Sequence, residues 1–413
     1  MSRTFRPPSP GLSMANLEPA ESLLVRKPCI SPSVLILTMQ GGYGAFDVRT
    51  KTMHRLNPTA ALIVELADGG RTVNEIVETI APIIGREKAV RSTRWIERSF
   101  EQKLLVETAG SSEHQADKLD AGTISDLAAE LRWADDVHTA FLLQKHAAEL
   151  DPSDPYQWYR LGELAHIVGE RSLACEAYET YFASHPEDAE VGHILIALKD
   201  EELPPRASDA CIDQIYSRFA EFYESNMCDE LAYRAPEHLA AAFGKWMKDA
   251  KGLYAVDLGC GTGLFGRKLR PHCQRLLGVD LSPAMLEKAG QTGVYDELES
   301  AELTDWLAGY SGEPLDLITC CDTLIYFGDL TKVLSAAMAR LRPGGKMGFT
   351  LEKSDKAPFR LGDSGRFRHH RSHVQAAAKT AGAHVERISE KVLRREYGED
   401  VIGLVTVLAR PEK

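Results

Sequence analysis

An apolar run, Tyr254–Leu258, stops abruptly at Gly259-Cys260-Gly261-Thr262-Gly263, and a second, shorter run ends about twenty residues on in Asp280. Glycines at the carboxyl end of a buried strand let the backbone approach a ligand closely, and the helix that follows presents free N–H groups. An acid closing the next strand stands where a ribose diol needs an acceptor. The pairing predicts a nucleoside site on an open α/β sheet. Further apolar runs at about 275–279, 292–296, 315–320, 346–351, 384–390 and 402–409 alternate with helical patterns, which predicts a doubly wound parallel sheet with a late antiparallel strand.

A dinucleotide fingerprint would need glycine at 264, where this chain has Leu264. With Asp257 ahead of its first glycine, the loop instead resembles motif I of the class I S-adenosylmethionine methyltransferases. The resemblance implies a Rossmann-like catalytic domain over 206–413 with S-adenosylmethionine as cofactor and no metal. It implies that Gly259, Cys260, Gly261 and Gly263 pack against the aminoacyl part, that Asp257 orders the loop and meets the ammonium, and that Asp280, beside Leu281, takes the ribose hydroxyls. The acid expected near the adenine is Glu302, with Leu303 as backbone donor and Asp305 as its competitor. Cys321-Asp322-Thr-Leu-Ile-Tyr326-Phe-Gly328 falls where the family lines the space between cofactor and acceptor, so Asp322 and Tyr326 are the first candidates there, Asp322 also touching the cofactor side. Tyr223, ending the aromatic entry helix Ile215–Tyr223, completes the cofactor set, and Glu352, at the carboxyl end of the fifth strand, is expected to point toward that cleft. The basic stretch Ser364–His373 offers His369 as a base for an oxygen or nitrogen acceptor; its other reading is a solvated basic loop.

The front of the chain is different. Residues 1–21 read as a disordered tail. Over 22–110, β-rich runs Val34–Thr38 and Tyr43–Asp47 flank Gly41-Gly42 as a hairpin, and three helices follow, beginning near Asn57 or Thr59, at Arg71-Thr72, and around Val90–Leu105. Hairpin plus three helices predicts a winged helix. The string Leu56-Asn-Pro-Thr-Ala60 … Leu66-Ala-Asp-Gly-Gly-Arg-Thr-Val-Asn-Glu-Ile76 resembles the PqqD family, whose members recognise leader peptides of ribosomally made, modified peptides. That resemblance implies strand addition at the hairpin edge.

Between 120 and 205, Trp158, Leu161, Gly162, Gly169, Ala174, Tyr178 and Pro186 sit at tetratricopeptide spacing, with a weaker copy 34 residues earlier at Leu127, Ala128, Ala140, Ala147 and Pro152. The span 120–413 resembles methyltransferases that carry such repeats ahead of the catalytic domain, on residues that include Tyr216, Phe219, Asp322, Tyr326, His369, Arg394 and Glu396. The repeats read as a spacer or as a peptide groove, or, for a small-molecule enzyme, as docking for partner enzymes.

A formal net charge of −12 argues against a general nucleic-acid binder, and no apolar run approaches bilayer length. The eight cysteines show no metal spacing, and the chain reads as cytoplasmic and reduced. Together these features predict methylation of a precursor peptide captured by the front domain, against a small-molecule methyltransferase or a non-catalytic adaptor. No single residue decides the acceptor; a carboxylate or hydroxyl is the working expectation.

Overall fold

The computed structural model describes residues 19–39, 41–107, 119–199, 202–356, 358–396 and 398–412. The tail expected over 1–21 lies, up to residue 18, outside them. Two compact units divide between Val168 and Gly169.

In the first unit, β1 (Pro28–Ile30) pairs with β5 (Leu105–Glu107), and β2 (Val34–Met39), β3 (Gly42–Asp47) and β4 (Thr52–Leu56) form an antiparallel meander. The expected hairpin thus gains a third strand, which its polar sequence Thr-Met-His-Arg-Leu conceals: only Leu56 is fully buried there. The helix Pro58–Leu66 starts where Asn57 accepts the Ala60 N–H, with Pro58 preset at the first position. Thr72 and Glu75 form a reciprocal capping box on Val73–Ile84. The third expected helix is broken in two, Arg86–Arg91 and Thr93–Glu101, and ends before Lys103, whose φ of 59° turns the chain into β5. Alternation along the meander sends Leu37 and Phe46 to a cluster with Ile124, Ala128, Ala140 and Leu143 of helices Ala121–Trp133 and Val137–Leu150. Val34, Ala45 and Leu56 face the other way, onto Ala60 and Val64. Both faces are therefore covered, while β2 and β4 remain edge strands among the described residues.

Helix Pro155–Ile167 closes this unit; helices Arg171–Phe182 and Ala189–Lys199 open the second. The second unit then builds one large sheet from β6 (Leu253–Leu258), β7 (Cys273–Asp280), β8 (Glu297–Ser300), β9 (Leu315–Cys320), β10 (Leu341–Lys353), β11 (Phe359–Leu361), β12 (Phe367–His369), β13 (His384–Glu396) and β14 (Glu399–Ala409). The strands run β8-β7-β6-β9-β10-β14-β13, the first five parallel and β14 antiparallel to both neighbours, as expected of a Rossmann-like sheet. Chain direction through the sheet reverses between β6 and β9, and ligands of such sheets bind outside the carboxyl ends of the strands at that point.

Two strand expectations need correction. The third strand is not 292–296 but Glu297–Ser300, because helix Pro283–Thr292 continues until Gly293 caps it at φ 65°. The basic stretch is not a solvated loop: β12 pairs with the end of β10, Glu352 opposite Arg368, and with β11. No described helix is long and apolar enough to cross a membrane.

Candidate active site

Leu258 ends β6 in the core, and the next residues turn back on β7: the Gly259 and Cys260 N–H groups both donate to the Val279 carbonyl, at 2.7 and 3.0 Å. Gly259 has φ +67°, and a Cβ there would lie 2.2 Å from Thr323 Oγ1, so both conformation and packing demand glycine. At Gly261 a Cβ would meet nothing within 4 Å, because that residue fronts open space. Asp280, at the end of β7, ties this loop down: Gly261 N–H donates to Oδ2 at 2.8 Å and Ser282 N–H to Oδ1 at 2.9 Å. Burial raises the Asp280 carboxyl above its ordinary range despite those two donors. Each oxygen keeps lone-pair capacity for a further hydroxyl.

Above the strand ends lies a cavity of ≈600 Å³, open solvent at its mouth included. It is lined by Gly259, Gly261, Asp280, Leu281, Glu302 and Leu303 on one side and by Tyr223, Asp322 and Tyr326 on the other, all named from the sequence. Tyr216, Cys321, Thr323, Met285, Arg206 and Asp209 join them. Tyr216 has a sequence signal in the aromatic spacing of its helix, and its hydroxyl bonds that of Tyr326 at 3.0 Å. Arg206 was concealed by Pro204-Pro205, which reads as a linker. In fact Pro205 and Ala207 hydrogen-bond Gly328 and Tyr326, which lays Arg206 along Phe327.

Other expected residues lie elsewhere. Cys260 is buried and Gly263 packs beside Tyr295; neither lines the cavity. Asp257, 1% exposed, is a buttress beneath the loop, accepting from Thr319 Oγ1 at 2.7 Å and Tyr295 Oη at 2.9 Å. Burial pushes its carboxyl up to about 7, the two hydrogen bonds only partly opposing this. A raised carboxyl holds its proton longer in the folded than in the unfolded chain, so stability is full below about pH 4 and declines as pH rises towards about 7. Asp280 and Asp322 pull the same way. Urea unfolding at pH 5 and pH 8 should therefore show the native protein weaker at pH 8, and Asp257→Asn should shrink that difference by a few kcal/mol. An unchanged difference would contradict the assignment.

Glu302 lines the cavity but is also the N-cap of helix Leu303–Gly309, accepting from Thr304 N–H at 2.8 Å and Asp305 N–H at 2.9 Å. Its carboxylate is thus partly committed to the fold, and Asp305 is outside the cavity. His369 is fully buried on β12, with Nδ1 3.1 Å from His373 Nδ1, and it does not line the cavity. Burial pushes its imidazole down to about 3, so it takes no proton near neutrality; the expectation of a base at His369 is corrected on both counts.

The neighbouring arginines serve a buried ionic lattice. Arg394, 2% exposed, donates to Asp322 Oδ2 at 2.9 Å and Glu396 Oε1 at 2.8 Å, and also to Glu352. Arg366 bonds Glu396 at 2.6 Å and pairs with Glu352 at 3.0 Å, and Arg368 bonds Glu352 at 3.2 Å. Glu352 was expected to face the cleft; it sits behind it, held ionised against the cost of burial by Arg366, Arg394 and Arg368. Three acids face three arginines, which anchors Asp322 from behind. No set of three or more His, Cys, Asp or Glu suited to a metal occurs among the described residues.

Residues 256–347 match a family model described as "Methyltransferase domain", and residues 45–90 match "Coenzyme PQQ synthesis protein D (PqqD)". Among relatives, the chain is 33% identical over 98 residues to a nodulation protein S of Rhizobium tropici, covering 23% of this chain and 41% of that protein. It is 29% identical over 110 residues to a ubiquinone biosynthesis O-methyltransferase of Coxiella burnetii, covering 26% and 47%. The chain spans less than half the length of these relatives. A solved S-adenosylmethionine-dependent methyltransferase from Mesorhizobium loti aligns with TM-score 0.34 and 24% identity, over 41% of this chain and 96% of that one.

Proposed function

We propose that this chain, which contains an S-adenosylmethionine-dependent methyltransferase domain and a PqqD-like domain, methylates a precursor peptide that its front unit holds by a leader segment. The observation that carries the methyltransferase reading is Asp280, fastened by the Gly261 N–H to the glycine loop at the reversal point of the sheet. The residues fit the cofactor. The cavity presents Asp209, Asp280, Glu302 and Asp322 against the single guanidinium of Arg206, and tyrosine rings besides, a lining suited to a cation. When bound, S-adenosylmethionine supplies an electrophilic methyl on a positively charged sulfur.

In this reading Asp280 holds the ribose hydroxyls, and Gly259 and Gly261 let the backbone close on the aminoacyl end. Tyr216, Tyr223 and Tyr326, whose hydroxyls burial keeps protonated, wall the acceptor side and exclude water. Asp322 and Tyr326 touch the acceptor. Holding the acceptor collinear with the reacting bond in a dry cleft is the main service such an enzyme renders.

Peptide capture is supported by the PqqD match and by a meander whose two faces are packed while its edges β2 and β4 have no further strand paired to them among the described residues. Capture raises the effective concentration of a weakly held acceptor, and the helices over 120–205, read as tetratricopeptide-like, serve as spacer. The test is transfer of labelled methyl by the full chain to a precursor peptide encoded beside its gene, and to the same peptide without its leader. Turnover should fall by ten-fold or more, on the order of a short tether's effect, when the leader is removed. Equal turnover would instead favour a small-molecule acceptor.

A further inference from the structure

The acceptor side of the cavity holds one unfilled bonding position. Asp322 follows β9 with φ +59°, a left-handed conformation uncommon outside glycine, and is 8% exposed. Its backbone N–H is fixed by Thr350 Oγ1 at 2.8 Å and its Oδ2 by Arg394. Its Oδ1 is buried with no hydrogen-bond partner among the described residues. A buried carboxylate oxygen without a donor is rare, because nothing offsets its lost hydration. The neighbouring cations are engaged elsewhere: Arg394 is shared among three carboxylates and Arg206 pairs with Asp209 at 2.6 Å, while the bond between the Tyr216 and Tyr326 hydroxyls uses one of their two protons. An anion placed here would meet four carboxylates and no uncommitted cation among the described lining residues.

We propose that Asp322 Oδ1 is the docking point of the methyl acceptor, and that the acceptor group is a hydrogen-bond donor, an amine or a hydroxyl, and not a carboxylate. The inference rests on the methyltransferase reading and narrows it, and it drops the carboxylate from the sequence expectation. A lattice of three arginines and three acids, closed around one side of Asp322 only, fixes this cavity-lining carboxylate and leaves its other oxygen unpartnered among the described residues. A rigidly held acceptor atom is worth more to orientation than a mobile one.

The test uses the full chain saturated with S-adenosylhomocysteine, titrated calorimetrically with phenethylamine and, separately, with phenylacetate. The amine should bind about tenfold more tightly or better, the yield of one charge-assisted hydrogen bond. Asp322→Asn should bring the two probes within about threefold of each other while S-adenosylhomocysteine affinity changes less than about threefold. Equal or tighter binding of phenylacetate by the native protein overturns the proposal, and that measurement needs no variant. A tenfold loss of S-adenosylhomocysteine affinity in Asp322→Asn also overturns it, by assigning Oδ1 to the cofactor. Failure of the native protein to bind S-adenosylhomocysteine at all sinks the methyltransferase reading itself.

Discussion

Replacing Arg394 by methionine should destabilise the second unit by about 3–5 kcal/mol, the usual consequence of removing one partner from a buried ion lattice. Among the described residues Arg394 is the largest side chain buried to this degree, and it serves Asp322, Glu352 and Glu396 at once. The loss should not fall evenly. Glu352 keeps Arg366 and Arg368, and Glu396 keeps Arg366, whereas Asp322 loses the sole partner of its side chain. The variant should therefore recover much of its stability when Asp322→Asn is added, since the orphaned charge is then gone. Acid should shrink the deficit for the same reason: burial already raises the Asp322 carboxyl, and without Arg394 to oppose this it takes up its proton as pH falls towards 4.5. Urea denaturation of native, single and double variants at pH 7 and pH 4.5 reads all three effects. A single-variant loss under about 1 kcal/mol, or no recovery in the double, would show that the lattice is not what holds Asp322.

The lattice also shows where sequence reading reaches its limit. The site's cofactor half was legible because its constraints are local: apolar strand, left-handed glycines and the strand-end acid lie within one βαβ unit, Tyr254 to Asp280. The aromatic spacing of Tyr216 and Tyr223 was likewise local, although the expected entry helix ends at Phe219 and a turn separates it from the short helix Tyr223–Ser225. Arg366, Arg368 and His369 misled because charge in a row resembles a solvated loop, and what buries it comes from Glu352 and Glu396, on strands β10 and β13. The strand β13 itself runs on past 390 to Glu396, carrying Arg394 to the lattice through polar residues that alternate too weakly to register as strand. Asp257 shows a subtler failure. Its place before the glycines was read correctly, but its side chain points down to Thr319 and Tyr295, a direction that depends on strand β9 and on the loop before β8. In the first unit, β4 escaped notice because its sequence is largely polar and buries only Leu56, whereas the other edge strand, β2, is apolar along most of its length.

Asp280→Ala should weaken S-adenosylhomocysteine binding by about 100-fold or more, close to 3 kcal/mol. Two separate losses add up to that figure. The variant removes the acceptor offered to the ribose diol, and it strands the Gly261 and Ser282 N–H groups that now end on the carboxylate, each orphaned donor costing on the order of 1–3 kcal/mol. The glycine loop then loses its tie to β7, and the cradle widens. Asp280→Asn separates affinity from stability. Burial raises the Asp280 carboxyl, so its ionised form opposes folding at neutral pH, and the neutral amide relieves that cost. Its single carbonyl oxygen cannot, however, replace both carboxylate oxygens. The amide variant still satisfies one of the two backbone donors, so it should unfold later than the alanine variant in a urea titration at pH 7.5 and yet bind S-adenosylhomocysteine about tenfold or more weakly than the native protein. Were both variants to bind within about threefold of the native chain, the ribose would have to be held elsewhere and Asp280 would be only a tie for the loop.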